Sequence, residues 1–380
     1  MQTFYVRRFA WFVITMTMAI FFFKELKESI ELFYAYPFST TSTVEYVPKL
    51  KFPAISICNL NEFQVSKLSK TKLKKLYDDD RFPLHSSTSD PGYDITGDEL
   101  ADMLHQSSQS VQDMFRGCEW IKRDTSGGQA NPCDTRNFTS YTDLNGQLCY
   151  TFNSGKPNHR LLDVNETGLN IALKLIFDLQ TNESLRPIEE VGLRVIVHDQ
   201  EETPLQNAGF IVSPGFQTFV EINVRKTQNL KPPYETKCGE RRLRFTDEYR
   251  QSKCFLEQLT DHVKKTCNCR GVFLPDESVP LCSLNHTVQC LIPAINNFDK
   301  RTNTECPVDC VSYQYITSLS YARFLSNPPI GLGFAPTNGE WQSPFLKGTA
   351  KQIRKHIQEN VVVIQFFYQE LMRENVQQGM

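Results

Sequence analysis

The chain carries no excess of charge of either sign: Lys+Arg 41 against Asp+Glu 43 leaves a formal net charge of −2 over 380 residues. That balance removes the electrostatic case for nucleic acid as a partner. Long hydrophobic runs are also wanting beyond one near the start. With hydrophobic residues at 40% and a negative mean hydropathy, a polytopic membrane protein is excluded. No internal repeat or low-complexity run is present, and 20 prolines with 12% aromatics argue against disorder over most of the length. Catalytic signatures are missing too. The sequence has no G-x-S-x-G, H-E-x-x-H, G-x-x-x-x-G-K-[ST] or G-x-G-x-x-G. Its histidines (His85, His105, His159, His198, His262, His286, His356) are scattered singly and read as surface or internally satisfied residues. The acid pairs Glu189-Glu190 and Glu201-Glu202 are adjacent in sequence, so on a strand they would point to opposite faces. No enzyme, cofactor or metal is implied.

What is present begins with Phe9 to Phe23, a stretch without charge, followed by an apolar pattern that continues past Lys24, Glu25, Lys27 and Glu28 to about Tyr36. Fifteen helical residues would span only about 22 Å against a roughly 30 Å hydrocarbon core, so the helix needs its flanks. A signal peptide shares the basic start at Arg7 and Arg8, but no small-residue cleavage site follows. The reading is an uncleaved anchor with a cytosolic N-terminus and the bulk of the chain outside the cell. Four N-x-[S/T] triplets, at Asn137, Asn165, Asn182 and Asn285, agree with that placement and are glycosylation candidates.

The outer portion is mixed. Thr43 to Asn61 alternates and reads as extended; a Lys-rich stretch (Lys67 to Lys75) ending at Asp78, Asp79 and Asp80 reads as a solvated helix and its exit. Thr96 to Glu99 reads as a capping box opening a helix with Leu100, Met103, Leu104, Val111, Met114 and Phe115 on one face. Period-two alternation marks strands over Leu169–Leu179 and Val191–Val197, with two more around Pro214-Gly215. Glu248 to Thr266 reads as a second helix, and Val361 to Phe367, apolar on both faces, as a central strand.

Twelve cysteines are the loudest feature, eight of them between residues 238 and 310. Cys267-Asn-Cys269, Cys282, Cys290 and Cys306-x-x-x-Cys310 would suit zinc only as reduced thiolates, which an extracellular setting disfavours. Disulfides are the default reading, holding a unit with little core of its own, and spacing alone leaves their connectivity open.

Five ordered motifs then carry a resemblance across nearly the whole chain. They are Phe52-Pro-Ala-Ile-Ser-Ile-Cys-Asn-Leu-Asn61, Leu148-Cys-Tyr-Thr-Phe-Asn-Ser-Gly155, Ser213-Pro-Gly-Phe-Gln-Thr-Phe-Val220, Cys267-Asn-Cys-Arg270 and Glu359-Asn-Val-Val-Val-Ile-Gln-Phe-Phe-Tyr368. Together with the leading helix they resemble the degenerin/epithelial sodium channel superfamily, which includes acid-sensing and peptide-gated channels. The resemblance implies an α+β fold: an N-terminal transmembrane helix followed by a disulfide-rich extracellular domain with palm sheet, β-ball, finger, thumb and knuckle. Its divisions fall at 1–36 (cytosolic stub and first membrane helix), 37–65 (wrist and first palm strand), 66–145 (finger) and 146–230 (palm and β-ball). There follow 231–315 (disulfide-rich thumb), 316–358 (atypical knuckle region) and 359–380 (last palm strand and the approach to a second membrane helix). The implied bridges are Cys58–Cys149, Cys118–Cys133, Cys238–Cys310, Cys254–Cys306, Cys267–Cys290 and Cys269–Cys282. A further thumb bridge of acid-sensing relatives has Gln258 at its first position here, and its second cysteine is missing as well.

The function implied is a subunit of a ligand-gated, amiloride-sensitive sodium channel in the plasma membrane, assembled as a homo- or heterotrimer with related subunits. Coupling of ligand to pore is expected where Tyr36, at the end of the first helix, meets Tyr234 at the base of the thumb. The bland reading is two interfacial tyrosines that merely anchor at the headgroups. Acid-sensing relatives have Trp at the second position, and Lys231-Pro-Pro-Tyr-Glu-Thr-Lys-Cys238 differs from theirs in length by one residue. The acidic pair expected after Cys290 is replaced by Ile292 and Asn296, and the acidic loop facing it is shortened to Leu185-Arg-Pro-Ile-Glu-Glu190. Clustered carboxylates raise one another's pKa, so their loss points away from protons and towards a peptide-gated or constitutively open channel. The chain given stops where the second membrane helix, which lines the pore, is expected. A non-conducting truncated subunit that regulates assembly of full-length partners is therefore the alternative. The proline- and glycine-rich stretch Asn327 to Leu346 occupies the place of a knuckle helix it cannot form, and low order is expected there.

Overall fold

The structure is a computed structural model that describes residues 2–78, 94–121, 130–144, 146–156, 161–169, 171–184, 190–204, 209–298, 306–323, 335–337, 340–342 and 347–379. Asp79, Asp80, His85, His159, Glu189, Thr304, the Leu185–Glu189 part of the shortened loop and most of Asn327 to Leu346 lie outside the described residues.

The uncharged run forms the centre of one long helix, α1 (Gln2–Tyr34), whose apolar side chains are exposed almost throughout. Its candidate spanning segment, Tyr5–Tyr34, is 30 residues, about 45 Å at the helical rise and so more than a bilayer's apolar thickness. Thr15 and Thr17 turn their hydroxyls back onto the carbonyls of Trp11, Phe12, Val13 and Ile14, which satisfies them in a medium without water. Beyond Phe23 the charges pair along the helix, Lys24 with Glu28 and Lys27 with Glu31. The apolar run of the helix therefore gives way to ion-paired turns towards its C-terminal end.

The extended stretch that follows divides into β1 (Ser39–Tyr46), β2 (Leu50–Lys51) and β3 (Ala54–Asn59). The Lys-rich stretch supplies the short helices α2 (Val65–Leu68) and α3 (Leu73–Asp78). Thr96 caps α4 (Gly97–Ser107) by accepting from the Glu99 amide. The single helix expected from Leu100 to Phe115 is broken. Ser108 ends α4 in extended backbone, Ser110 starts α5 (Val111–Met114) with a reciprocal capping box, and Phe115 already belongs to β4 (Phe115–Ile121). Serines that compete for backbone partners end one helix and begin the next, although Leu100, Met103, Val111 and Met114 are all buried.

Next come β5 (Ala130–Pro132), β6 (Phe138–Thr142), β7 (Leu148–Phe152), β8 (Asp163–Val164), β9 (Leu173–Asp178), β10 (Leu193–His198), β11 (Phe210–Val212) and β12 (Phe216–Gln228). The cysteine-rich unit holds α6 (Gln251–Cys267), then α7 (Leu284–His286), which runs through a wide turn at Thr287–Leu291 into α8 (Ile292–Asn296). The remainder is β13 (Val311–Arg323), β14 (Ala335–Thr337), β15 (Glu340–Gln342), β16 (Lys347–Gly348), α9 (Ala350–Asn360) and β17 (Val361–Gly379).

Two sheets enclose one core. In the larger the order is β13-β12-β17-β9-β4-β5, with β1 paired to the second half of β17; in the smaller it is β11-β10-β3-β7-β6. β17 is central as expected, but it continues well past Phe367, because its polar second half is held by the backbone ladders of β1 and β12. Ile55 and Ile57 of β3, Leu175 and Phe177 of β9, Val220 and Ile222 of β12 and Ile364 and Phe366 of β17 are fully buried in the shared core, each such side chain worth about 1.5–3 kcal/mol of burial. Phe52 meets Trp120 and Tyr368 edge to face at 4.8 and 6.2 Å, and the Tyr368 hydroxyl donates to the Lys51 carbonyl. The result is an α+β fold in which an apolar N-terminal helix precedes a β-rich, disulfide-rich domain.

Candidate functional site

Three chain segments converge where α1 ends. Tyr36 takes a left-handed backbone conformation (φ 47°) just past the helix, its amide still reaching the Phe33 carbonyl at 3.4 Å. Its ring meets that of Tyr234 at 5.8 Å with planes at 73°. Both side chains are half-buried. Tyr234 sits on a tight loop closed by the Cys238 amide on the Leu230 carbonyl at 3.1 Å and tied down by the Cys238–Cys310 bridge. The third segment is the end of β17. Gln378 Oε1 accepts from the Leu230 amide, and the Thr236 hydroxyl lies 3.0 Å from the same oxygen. Ser39, at the start of β1, pairs with Gly379. The exit of α1, the base of the cysteine-rich unit and the end of the central strand are thus mechanically one joint.

All twelve cysteines are paired, with Cα separations from 4.6 to 5.8 Å, within the range a disulfide bridges without strain on the backbone. Cys58–Cys149 joins β3 to β7 beside the paired residues Ile57 and Tyr150, and Cys118–Cys133 ties β4 to the segment after β5. Cys238–Cys310, Cys254–Cys306, Cys267–Cys290 and Cys269–Cys282 all lie in the cysteine-rich unit. There Leu259 and Val263 of α6 and Leu274 and Leu291 form a small core among the sulfurs. The four sequon asparagines, Asn137, Asn165, Asn182 and Asn285, are exposed; Asn137 also accepts from the Asp134 amide in a capping box.

A charged junction links this unit to the sheets. Glu201 and Glu202 lie in a turn rather than on a strand, so both face the same cluster. Arg250 pairs with Glu201 and donates to the Val311 carbonyl, Lys51 lies 3.6 Å from Asp199, and Asp309 accepts from the Gln251 amide at the start of α6. Burial, with Asp199 and Asp309 nearby, pushes the Glu202 carboxyl up to about 7 against the pull of Arg250. Burial also raises Asp309. Among the described residues no group of three or more His, Cys, Asp or Glu side chains could hold a metal ion. His198 is buried and engaged with Ser56 and the Asp199 carbonyl, and His356 pairs with Asp178 at 2.9 Å.

A second feature had no signal in any single segment. A cavity of about 330 Å³ opens between α4, the 270–273 loop and α8, and Glu62 is in its wall. Ile292 and Asn296, standing where an acidic pair was expected, line it as well. Its residues come from parts of the chain far apart in sequence, so only the fold brings them together.

A family model described as "Amiloride-sensitive sodium channel" matches residues 2–380. Among curated proteins the chain is similar to acid-sensing ion channel 1B of Danio rerio, 25% identical over 393 residues, covering 99% of this chain and 66% of that protein. Acid-sensing ion channel 2 of Homo sapiens is 26% identical over 404 residues, at 98% and 74% coverage. Acid-sensing ion channel 1 of Gallus gallus is 26% identical over 381 residues, at 92% and 68%. The chain spans about two thirds to three quarters of the length of these relatives. A cryo-EM structure of a proton-activated chloride channel superposes with a TM-score of 0.34 and 8% identity, covering 96% of this chain and 82% of that one, which is too distant to bear on the fold. With the family model running from residue 2 to residue 380, over an apolar helix and a six-disulfide β-rich domain, the chain belongs to the amiloride-sensitive sodium channel family, whose members are ion channels and not enzymes.

Proposed function

We propose that the chain is a subunit of a trimeric, amiloride-sensitive sodium channel of the plasma membrane, gated by an extracellular ligand of peptide type. Its N-terminus is cytosolic and its sheets and cysteine-rich unit are outside the cell. The observation that carries this reading is the joint at Tyr36 and Tyr234. A movement of the disulfide-stiffened unit has a short route to the first membrane helix, and β17 is tied to the same point through Gln378. The family match supplies the channel; the joint supplies the means by which an outside event reaches it.

Peptide rather than proton gating follows from the side chains at 292 and 296. The relatives with names that include acid sensing resemble this chain in sequence along nearly all of its length, but isoleucine and asparagine do not titrate, so the paired carboxylates that would read pH near neutrality are not available at 292 and 296. Voltage clamp of cells expressing the chain alone and together with a conducting relative tests the reading. Amiloride-blocked sodium current evoked by an extracellular peptide fraction, with none evoked by a step to about pH 6, is the expected result. A proton-evoked current of the same size would overturn peptide gating. Loss of the relative's current at unchanged surface level would replace ligand gating with regulation of assembly.

A further inference from the structure

β9 ends in a sharp turn over residues 178–181, and two other parts of the chain meet it there. Within the turn Gln180 takes the left-handed conformation (φ 51°, ψ 56°), which a residue with a Cβ holds only against backbone strain. Contacts on both sides of it offset that strain.

On one side stand the helices between β3 and β4. Gln180 Oε1 accepts from Gln64 Nε2 at 2.7 Å and from Gln109 Nε2 at 3.3 Å, and its own Nε2 donates to the Asp113 carbonyl at 3.2 Å. Gln64 immediately precedes α2, Gln109 joins α4 to α5, and Asp113 lies in α5. On the other side stands α9. The Thr181 amide and hydroxyl both donate to Asn360 Oδ1, at 2.7 and 2.9 Å. The Leu179 amide donates to the Asn360 carbonyl at 2.8 Å, and His356 Nε2 lies 2.9 Å from the Asp178 carboxylate. Gln64, Gln109, Asp178 and Asn360 are all buried, where a lost partner is not replaced by water. Among the described residues, the side-chain bonds of Gln180 go to the first side and none goes to α9.

The two sets of contacts therefore depend on one backbone torsion. With φ at 51° the turn offers the Gln180 side chain to the helices and the Thr181 amide to Asn360. A return to negative φ would withdraw both together, because it swings the chain on one side of that bond relative to the other. We infer that the 178–181 turn is a bistable coupler through which α9 and the helices between β3 and β4 hold or release the central sheet together. α9 runs without a break into β17, and Gln378 of β17 is tied to the Leu230 amide. A movement of those helices thus has a second route to the joint at Tyr36 and Tyr234. The inference deepens the ligand-gating reading and takes its meaning in the cell from it. The coupling itself is independent of any current.

Hydrogen exchange on the detergent-solubilised chain tests it. Gln180→Ala removes the amide and keeps the strain. Protection should fall about tenfold in α4 and α5, the size of one buried hydrogen bond, and about as much in α9, to which the side chain makes no bond. Gln180→Gly removes the same amide but takes positive φ freely. In that variant α4 and α5 should loosen as before, while α9 keeps its protection to within about twofold. Asn360→Ala acts from the other side and should loosen α4 and α5; it replaces Gln180→Ala should that variant fail to fold. Six intact bridges by mass, and unchanged exchange in α6, which has a small core of its own, establish folding of each variant. An equal loss in α9 for the alanine and glycine variants would show general loosening and overturn the coupler. So would an α9 untouched by Gln180→Ala, or an α5 untouched by Asn360→Ala. The expected pattern in a chain that gives no ligand-evoked current upholds the coupler and counts against ligand gating alone.

Discussion

Tyr36, just past the end of the N-terminal helix, and Tyr234, at the base of the cysteine-rich unit, meet edge to face with 5.8 Å between ring centres. Such a pair contributes about 0.5–1.5 kcal/mol beyond its buried area. If it couples the ectodomain to the pore, Tyr36→Ala and Tyr234→Ala should each shift the half-maximal ligand concentration by about two- to tenfold. The double variant should shift it no further, because each single change already removes the whole contact. Replacement of both by Phe should preserve gating, since the contact is made by rings. Dose–response curves on the four variants decide the matter; additive shifts would show that the two residues act independently.

Gly97 is a different kind of joint. A methyl group there would lie 2.2 Å from the Leu281 oxygen and 2.5 Å from its carbonyl carbon, and a backbone target cannot swing aside as a side-chain tip can. Gly97→Ala should therefore cost about 1–3 kcal/mol, the range of overpacked positions, despite alanine's better helix propensity. Gly146, whose added Cβ would meet nothing within 4 Å, does not share the steric problem, but its φ of 82° would bring backbone strain instead. A lowered melting temperature for Gly97→Ala, with all six bridges intact, checks the claim; an unchanged melt would mean that α4 and the 281–284 segment move apart freely.

The buried acid at Glu202 gives stability a pH dependence. Its folded value is pushed up to about 7 from the usual 4.5, so between these pH values the folded chain keeps a proton that the unfolded chain releases. The unfolded state then binds fewer protons, and stability falls as pH rises through that window. Glu202→Gln removes this contribution. The melting temperature of the variant should decline less between about pH 5 and about pH 8 than that of the native chain, and the variant should be the more stable of the two at the alkaline end. Glu62, raised to a similar value, keeps a remaining slope in the variant. A steeper slope in Glu202→Gln would show that Arg250 holds the acid ionised after all.

What the sequence made legible follows from where information about burial is local. The uncharged run of α1 and the alternation in β9 and β10 announce themselves, because each residue's neighbours in sequence decide its environment. β13 does not, since it is largely exposed and is held by its ladder with β12 rather than by an apolar face. The second half of β17 is polar for the same reason. The break at Ser108 is marked by the serines but masked by the apolar spacing on either side, and the Thr349 capping box of α9 stands beside a proline-rich stretch that argues against a helix. The Tyr36–Tyr234 contact was reachable only by resemblance, and the cavity not at all, since Glu62, Leu104, Arg270 and Ile292 share no pattern along the chain.

The bridges allow a last prediction in which two effects compete. Cys58–Cys149 closes a separation of 91 residues and Cys269–Cys282 one of 13. By loop-closure entropy alone the first restrains the unfolded chain by about 4.6 kcal/mol and the second by about 3. Against this, β3 and β7 are already joined by their ladder at Ile55, Ser56 and Ile57, whereas the 269–282 loop is held in the folded state by shorter-range ties, the Arg270–Leu281 bridge, the Lys264–Asp276 ion pair and the buried Leu274. The ladder acts on the folded state and the entropy on the unfolded one, so the ladder does not cancel the advantage of the longer loop. Replacing both Cys58 and Cys149 by Ala should therefore lower the denaturation midpoint more than replacing both Cys269 and Cys282. Should the shorter bridge prove the more stabilising, the folded-state geometry of the 269–282 loop, and not chain entropy, would be what the sulfurs secure.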